Sequence, residues 1–303
     1  MGQRANPGIQ ARCRAFSPRL LCSATGGRAA FDSVGPSRNP SLMTAARDPT
    51  RRFSQRVESY ARHRPGYPVE VIELLRREAG LRPGAVVADI GSGTGIFSRL
   101  LLDAGASVLA VEPDPAMRAA AEEALGSRSN FRSVAGRAEA TGLDAACADL
   151  VTAAQAFHWF EPSAAREELR RLLRPSGWVA LVWNARRLGG TPFLTHYEEL
   201  LLRHGTDYSK VRHEAVEATR IDSFFAPCPV RRASYPNVQR LDLEGLRGRV
   251  TSSSYVPFEG QPGFDVMMRE LDELFRAHER GGWVEIVYDT NVYYGQLEGT
   301  SAS

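Results

Sequence analysis

The sequence predicts an α/β fold, a doubly wound and mostly parallel sheet with helices on both faces and a small helical cap. Three observations carry that prediction. First, the apolar, β-branched run Val86-Val87-Ala88-Asp89-Ile90 breaks into Gly91, Gly93 and Gly95 and continues into Arg99-Leu100-Leu101-Leu102. A buried strand feeding a tight turn and a helix is the opening βα unit of such a sheet. Second, short apolar runs alternate with helical periodicity from Gly84 to Asn184. Third, 303 residues at 43% hydrophobic content hold one large α/β domain plus an appended part.

Taken in order, residues 1–42 are rich in Arg, Ser, Gly and Pro, with six arginines against the single acid Asp32. Such a stretch cannot bury enough apolar surface to offset its ordering entropy. A transit peptide, a disordered arm or a start site at Met43 all fit. The last is favoured, because patterned sequence begins directly after it. Residues 43–84 read as a helical flap: helix, break, helix. The break, Tyr60-Ala61-Arg62-His63-Arg64-Pro65-Gly66-Tyr67-Pro68, flanks one glycine with two prolines, a turn stiff on one side and permissive on the other.

The alternation then gives strand 85–90, helix 95–104, strand 107–112, helix 114–125 and strand 131–135. Pro115 suits the first turn of its helix. A fourth strand, 149–154, runs into Gln155-Ala156-Phe157-His158-Trp159-Phe160. Helix 161–173 leads through the turn Arg174-Pro175-Ser176-Gly177 to a fifth strand, 178–184. The core therefore spans 85–187. Residues 188–298 supply cap helices at 192–204, 242–252 and 262–279, and two further strands, near Val230 to Val238 and at 284–294.

Composition narrows the function. The net charge of +3 hints at nucleic acid, but residues 1–42 hold +5 of it and the remainder is −2. No broad phosphate-binding face remains. No apolar run approaches the ~18 residues of a spanning helix; the best is Trp178 to Trp183. The cysteines at 13, 22, 147 and 228 form no C-x-x-C pair or metal-ligand spacing. Reduced cysteines and no metal suit a cytoplasmic chain.

The glycines point to a ligand, since glycine serves where φ is positive or a ligand approaches the backbone closely. A dinucleotide fingerprint needs a third small residue at position 96, where Ile96 stands. The pattern is instead acidic-x-G-x-G-x-G, from Asp89 to Gly95, with Glu112 ending the second strand. An acid at that tip accepts hydrogen bonds from ribose hydroxyls in dehydrogenases and methyltransferases alike.

These residues resemble motif I of the class I S-adenosylmethionine-dependent methyltransferases. The Tyr60 to Pro68 pattern resembles the start of methyltransferases of the type 11 domain family. Ala154 to Phe160 resembles the A-x-x-x-H-W-F stretch of small-molecule enzymes such as trans-aconitate methyltransferase. The resemblance implies a seven-stranded Rossmann-like methyltransferase sheet whose last strand is antiparallel, closed by the helical cap. It implies S-adenosyl-L-methionine as cofactor, with Asp89, Gly91, Gly93 and Gly95 at its methionine end and Glu112 on the ribose. Ala138 and Glu139 would hold the adenine, Arg137 standing where an Asp is common. Gln155 and Arg64 complete the cofactor set, Arg64 facing the cofactor's carboxylate. His158 is the catalytic candidate, as base or as orienter of the acceptor. Trp159, Tyr60, Tyr67 and Tyr255 are the acceptor candidates, although Ser252 to Pro257 reads equally as a polar helix end.

Amino-methylating enzymes for DNA adenine or glutamine carry N-P-P-Y after strand four, where this chain has Ala154-Gln155-Ala156-Phe157. Cytosine-C5 enzymes place Pro-Cys there, and the only Pro-Cys is Pro227-Cys228. The expected partner is a small-molecule acceptor, oxygen or carboxylate, with no nucleic acid and no membrane; monomer and homodimer both remain open. A cofactor-binding regulator without turnover is the alternative, and a nicotinamide-dependent oxidoreductase a more distant one.

Overall fold

The computed structural model describes residues 57, 62–206, 208, 216–253 and 255–298, all within one compact unit, Arg47–Ser303. The expected extension at 1–42, and Tyr60, lie outside the described residues. In chain order the elements are α1 (Val69–Glu78), β1 (Val86–Ile90), α2 (Ile96–Asp103), β2 (Ser107–Glu112), α3 (Pro115–Leu125), β3 (Phe131–Ala135) and β4 (Ala148–Ala154). Then follow α4 (Pro162–Leu172), β5 (Leu173–Arg186), α5 (Pro192–His204), α6 (Val216–Phe225), β6 (Arg231–Leu241), α7 (Leu243–Thr251), α8 (Phe264–His278) and β7 (Val284–Gly295).

Seven strands form one sheet in the order β3-β2-β1-β4-β5-β7-β6. β1, β2, β3, β4 and β5 pair in parallel, and β7 runs antiparallel to both β5 and β6. The doubly wound sheet with its antiparallel last strand is as the sequence predicts. Chain order reverses between β1 and β4, so the carboxyl ends of those strands open a crevice. The central strands are apolar on both faces because helices cover both. Val87, Val108, Leu150 and Val182 pack with α1 and α2 on one side. Ile90, Val111, Val151 and Leu181 pack with α4 and α6 on the other.

Three features differ from the sequence reading. β5 begins before the expected turn Arg174 to Gly177, which the strand takes up as a bulge: Leu173 pairs with Ala148 and Trp178 with Leu150, and Ser176 between them has φ 65°. β5 also continues to Arg186, because Ala185 and Arg186 pair with Asp289 and Tyr288 of β7. Helix α6 was not expected. Its buried Ile221, Phe224 and Phe225 follow i, i+3, i+4 spacing, a signal short enough to pass as loop. Helices α5, α7 and α8 form a separate apolar cluster over β6 and β7, built on Tyr197, Leu201, Leu246, Met267, Leu271 and Ile286. No helix among the described residues is long and apolar enough to cross a membrane.

Candidate functional site

The glycine-rich loop is shaped by strand ends and positive φ. Gly91, Gly93 and Gly95 take φ of 68°, 55° and 82°. The amides of Gly91 and Ser92 donate to Val111 O at 2.8 and 3.1 Å, folding the loop against the tip of β2. A Cβ on Gly91 would lie 2.5 Å from Ala156 Cβ, whereas one on Gly93 would meet nothing within 4 Å. Gly91 therefore serves packing against the β4 loop, and Gly93 faces open space. Gly95 ends the loop at the start of α2, where a Cβ would approach Leu125 Cδ1 at 2.7 Å.

Asp89, one residue before the end of β1, is buried. Its Oδ2 accepts from Ser98 Oγ at 2.6 Å and its Oδ1 from Thr152 Oγ1 at 2.8 Å. Burial pushes its carboxyl up to about 6, against the opposing effect of the two hydroxyl donors. Nearby, Glu112 accepts from Gly93 N at 3.0 Å through Oε2 and from Asp114 N at 2.9 Å through Oε1. Burial raises its pKa as well, opposed by those two amides. Asp114 caps α3 by accepting from Ala116 N and Met117 N, a cap worth about 1 kcal/mol. That cap holds the chain after Glu112.

At the tip of β4, Gln155 takes φ 55°, an uncommon conformation for a non-glycine residue. Its amide donates to Val182 O at 2.9 Å and its Nε2 to Asn184 O at 3.2 Å, which fixes the strained turn. A 3₁₀ turn, Phe157–Trp159, follows. Phe157 is buried against Phe160, Trp183 and Phe224, and Arg220 of α6 stacks on it at 5.1 Å while donating to Phe160 O. Trp159 is 53% exposed. The His158 ring lies 4.7 Å from that of Trp159 and 6.4 Å from that of Trp183.

These elements enclose a cleft of about 350 Å³. Among the candidates, Asp89, Gly91, Gly93, Glu112, Ala138, Glu139, Gln155, Trp159 and Tyr67 line it. Tyr67 is held there edge-on to Phe97 at 5.0 Å. Glu139 also accepts from Glu161 N at 2.8 Å, tying the loop after β3 to the start of α4. Gly95, His158, Arg64 and Tyr255 are outside the lining. Arg64 donates to Ser252 O at 3.0 Å, and the Tyr255 ring lies 4.9 Å from that of Tyr208.

The polar groups of the cleft match the expected cofactor. The lining carries the carboxyls of Asp89, Glu112, Asp114 and Glu139 and one guanidinium, Arg137. That balance suits a ligand bearing a sulfonium and an ammonium, and repels a pyrophosphate. Thr94, 6% exposed, lines the same cleft, and its buried Oγ1 has no hydrogen-bond partner among the described residues. The open space at Gly93 and the spare lone pairs on Glu112 complete a fit. Sequence reading missed Ser98, Thr152 and Thr94, because a lone hydroxyl in a helix, strand or loop carries no periodic signal. Among the described residues no His, Cys, Asp and Glu gather to hold a metal, and Cys147 and Cys228 are free thiols.

Comparisons with known proteins agree with the fit. A methyltransferase domain family matches residues 88–181. An uncharacterized methyltransferase of Mycobacterium tuberculosis is 41% identical over 150 residues, which cover 49% of this chain and 59% of that relative. The chain thus spans less than two thirds of that relative's length. An uncharacterized methyltransferase-like protein of Schizosaccharomyces pombe is 28% identical over 254 residues, 81% of this chain and 95% of its own. A solved structure from Anaeromyxobacter dehalogenans, provisionally described as a type II methyltransferase, superposes with a TM-score of 0.62 at 25% identity. It covers 77% of this chain and 98% of its own.

Proposed function

We infer that this chain, whose residues 88–181 match a methyltransferase domain family, transfers a methyl group from S-adenosylmethionine to an oxygen or carboxylate of a small-molecule acceptor. The observation that carries this reading is the acid-rich cleft at the carboxyl ends of β1, β2 and β4, with exposed Trp159 at its lining. When bound, the cofactor supplies a methyl already activated on a sulfonium. The chain therefore has mainly to bind, orient and exclude water; orientation alone accounts for ~7–11 kcal/mol in the best intramolecular cases.

Asp89, in its ionised form, and Thr94 hold the cationic methionine end beside Gly91 and Gly93. Glu112 accepts the ribose hydroxyls on the lone pairs that Gly93 and Asp114 leave open, and Ala138 with Glu139 borders the adenine. Gln155 presents its strained backbone to the transferring group. Trp159 gives the acceptor an apolar face, and Tyr67 lines the cleft opposite the β4 tip. His158 takes the proton of a hydroxyl acceptor, or orients a carboxylate, which needs no base.

The test is thermal unfolding with S-adenosylhomocysteine, S-adenosylmethionine and NADPH in parallel. A ligand at about 100 times its dissociation constant stabilises by ~2.7 kcal/mol. A shift with both sulfur ligands, abolished in Asp89→Ala, supports the reading. A shift with NADPH alone overturns it.

A further inference from the structure

One polar side chain interrupts the buried part of β5. Trp178 to Trp183 are apolar, and asparagine is disfavoured in strands, yet Asn184 follows them at 7% exposure. A buried amide is costly unless its polar atoms are bonded, and this residue is bonded to four other segments. Its Nδ2 donates to Gly66 O at 3.0 Å, in the arm before α1. Its Oδ1 accepts from Thr290 Oγ1 of β7 at 2.6 Å and from Asn237 Nδ2 of β6 at 3.1 Å. Its main-chain oxygen accepts from Gln155 Nε2 at the tip of β4, at 3.2 Å.

These bonds fix which way the amide points. An asparagine oxygen has two lone pairs, and Thr290 and Asn237 occupy both, which leaves the nitrogen facing Gly66. A flipped amide would set oxygen against the Gly66 oxygen. Asn237 Nδ2 also donates to Gly66 O at 2.9 Å, so the two asparagines and the arm carbonyl close a triangle of hydrogen bonds.

Two of the four segments form walls of the cleft. Gln155 lines it, and Gly66 directly precedes Tyr67, which lines it too; Asn184 itself does not. An apolar residue would serve packing between β5 and β7 equally well. The amide adds a fixed distance between the two walls: the main chain of Asn184 holds Gln155 while its side chain holds Gly66.

We propose that Asn184 is a positioning residue for the methyl transfer, setting Gln155 and Tyr67 together so that docking of the arm and filling of the cleft are linked. The proposal rests on the methyltransferase reading, which makes S-adenosylmethionine the occupant of the cleft. The link is reciprocal: a bound cofactor holds the arm down, and a docked arm raises cofactor affinity. Asn184 touches neither cofactor nor acceptor and acts through the two residues it holds.

The test titrates the full chain with S-adenosylhomocysteine by calorimetry, as the unaltered protein, Asn184→Ala, Tyr67→Ala and the two combined. Asn184→Ala should bind about tenfold more weakly, one hydrogen bond's worth. The double variant should fall no more than about threefold below the weaker single one, because both changes break the same link. Limited proteolysis gives a second readout. Saturating S-adenosylhomocysteine should slow cleavage near residues 62–67 in the unaltered chain and fail to do so in Asn184→Ala, a difference that a less stable sheet alone would not produce. Should Asn184→Ala fail to fold, Asn237→Ala decides by the same readouts, since it removes the companion bond to Gly66 O from a half-buried position on the edge strand. Single effects that multiply in the double variant, or equal protection of the arm in every variant, overturn the proposal and leave the methyltransferase reading standing. No S-adenosylhomocysteine binding in the unaltered chain overturns both.

Discussion

The amide of Gly93 donates to Oε2 of Glu112 at 3.0 Å, so the carboxylate at the tip of β2 also holds the glycine loop that follows β1. Its other oxygen holds Asp114 N. A glutamine has one acceptor oxygen where glutamate has two. Glu112→Gln must release one amide, and its S-adenosylhomocysteine affinity should fall by about tenfold or more, the worth of one charged hydrogen bond. Calorimetry reads this directly, and an unchanged affinity would remove Glu112 from the cofactor site.

Asp89 makes a pH prediction. Its folded pKa lies above its ordinary 3.8, at about 6, so the folded chain binds more protons than the unfolded one between those values. This contribution to stability is fully present below about pH 4 and is lost as pH rises through about 6, an effect of up to roughly 3 kcal/mol. Asp89→Asn should therefore exceed the unaltered chain in stability at pH 7.5, the gap closing toward pH 4, while binding the cationic cofactor worse. Denaturant unfolding across that range measures the gap; one independent of pH sinks the assignment.

The two loop glycines should separate packing from binding. Gly91→Ala drives a methyl into Ala156 and should destabilise by about 1–3 kcal/mol. Gly93→Ala meets open space and should cost about 1 kcal/mol of backbone strain while filling the cradle. Melting points paired with ligand titrations distinguish them. Equal losses of stability would contradict the structure.

His158 lies outside the cleft lining but one residue from Trp159. His158→Ala should lower kcat by about 10²–10⁴-fold if the ring acts as a base, and leave S-adenosylhomocysteine affinity within a few-fold. Lost cofactor affinity would reassign it.

Gly248 anchors the arm. A Cβ there would lie 2.2 Å from His63 Cδ2, and the arm's carbonyls at His63 and Gly66 accept from Gln239, Asn184 and Asn237. Gly248→Ala should lift His63 and loosen Tyr67 at the cleft. Limited proteolysis should then cut near residues 62–67 sooner, with the melting point of the sheet within a few degrees. Unchanged cleavage would show that the arm yields without undocking.

Much of this architecture is legible in the chain. Buried parallel strands write themselves as apolar runs, and the loop after β1 needs glycines that no other pressure would space that way. What was hidden depends on tertiary pairing. β5 reaches Arg186 only because β7 lies alongside it, and nothing between Asn184 and Arg186 says so locally. Ser98 and Thr152 matter because two different elements aim hydroxyls at Asp89.

The strand order carries a consequence for synthesis. β7 comes after all the other strands, yet it sits inside the sheet, between β5 and β6. Until residues 284–295 leave the ribosome, β5 presents an open hydrogen-bonding edge, and β6 has no neighbour at all. Open edges of that kind invite pairing between nascent chains. The arginines of β6, at 231, 232 and 240, put charge on that waiting strand and oppose such pairing while the chain is still being made.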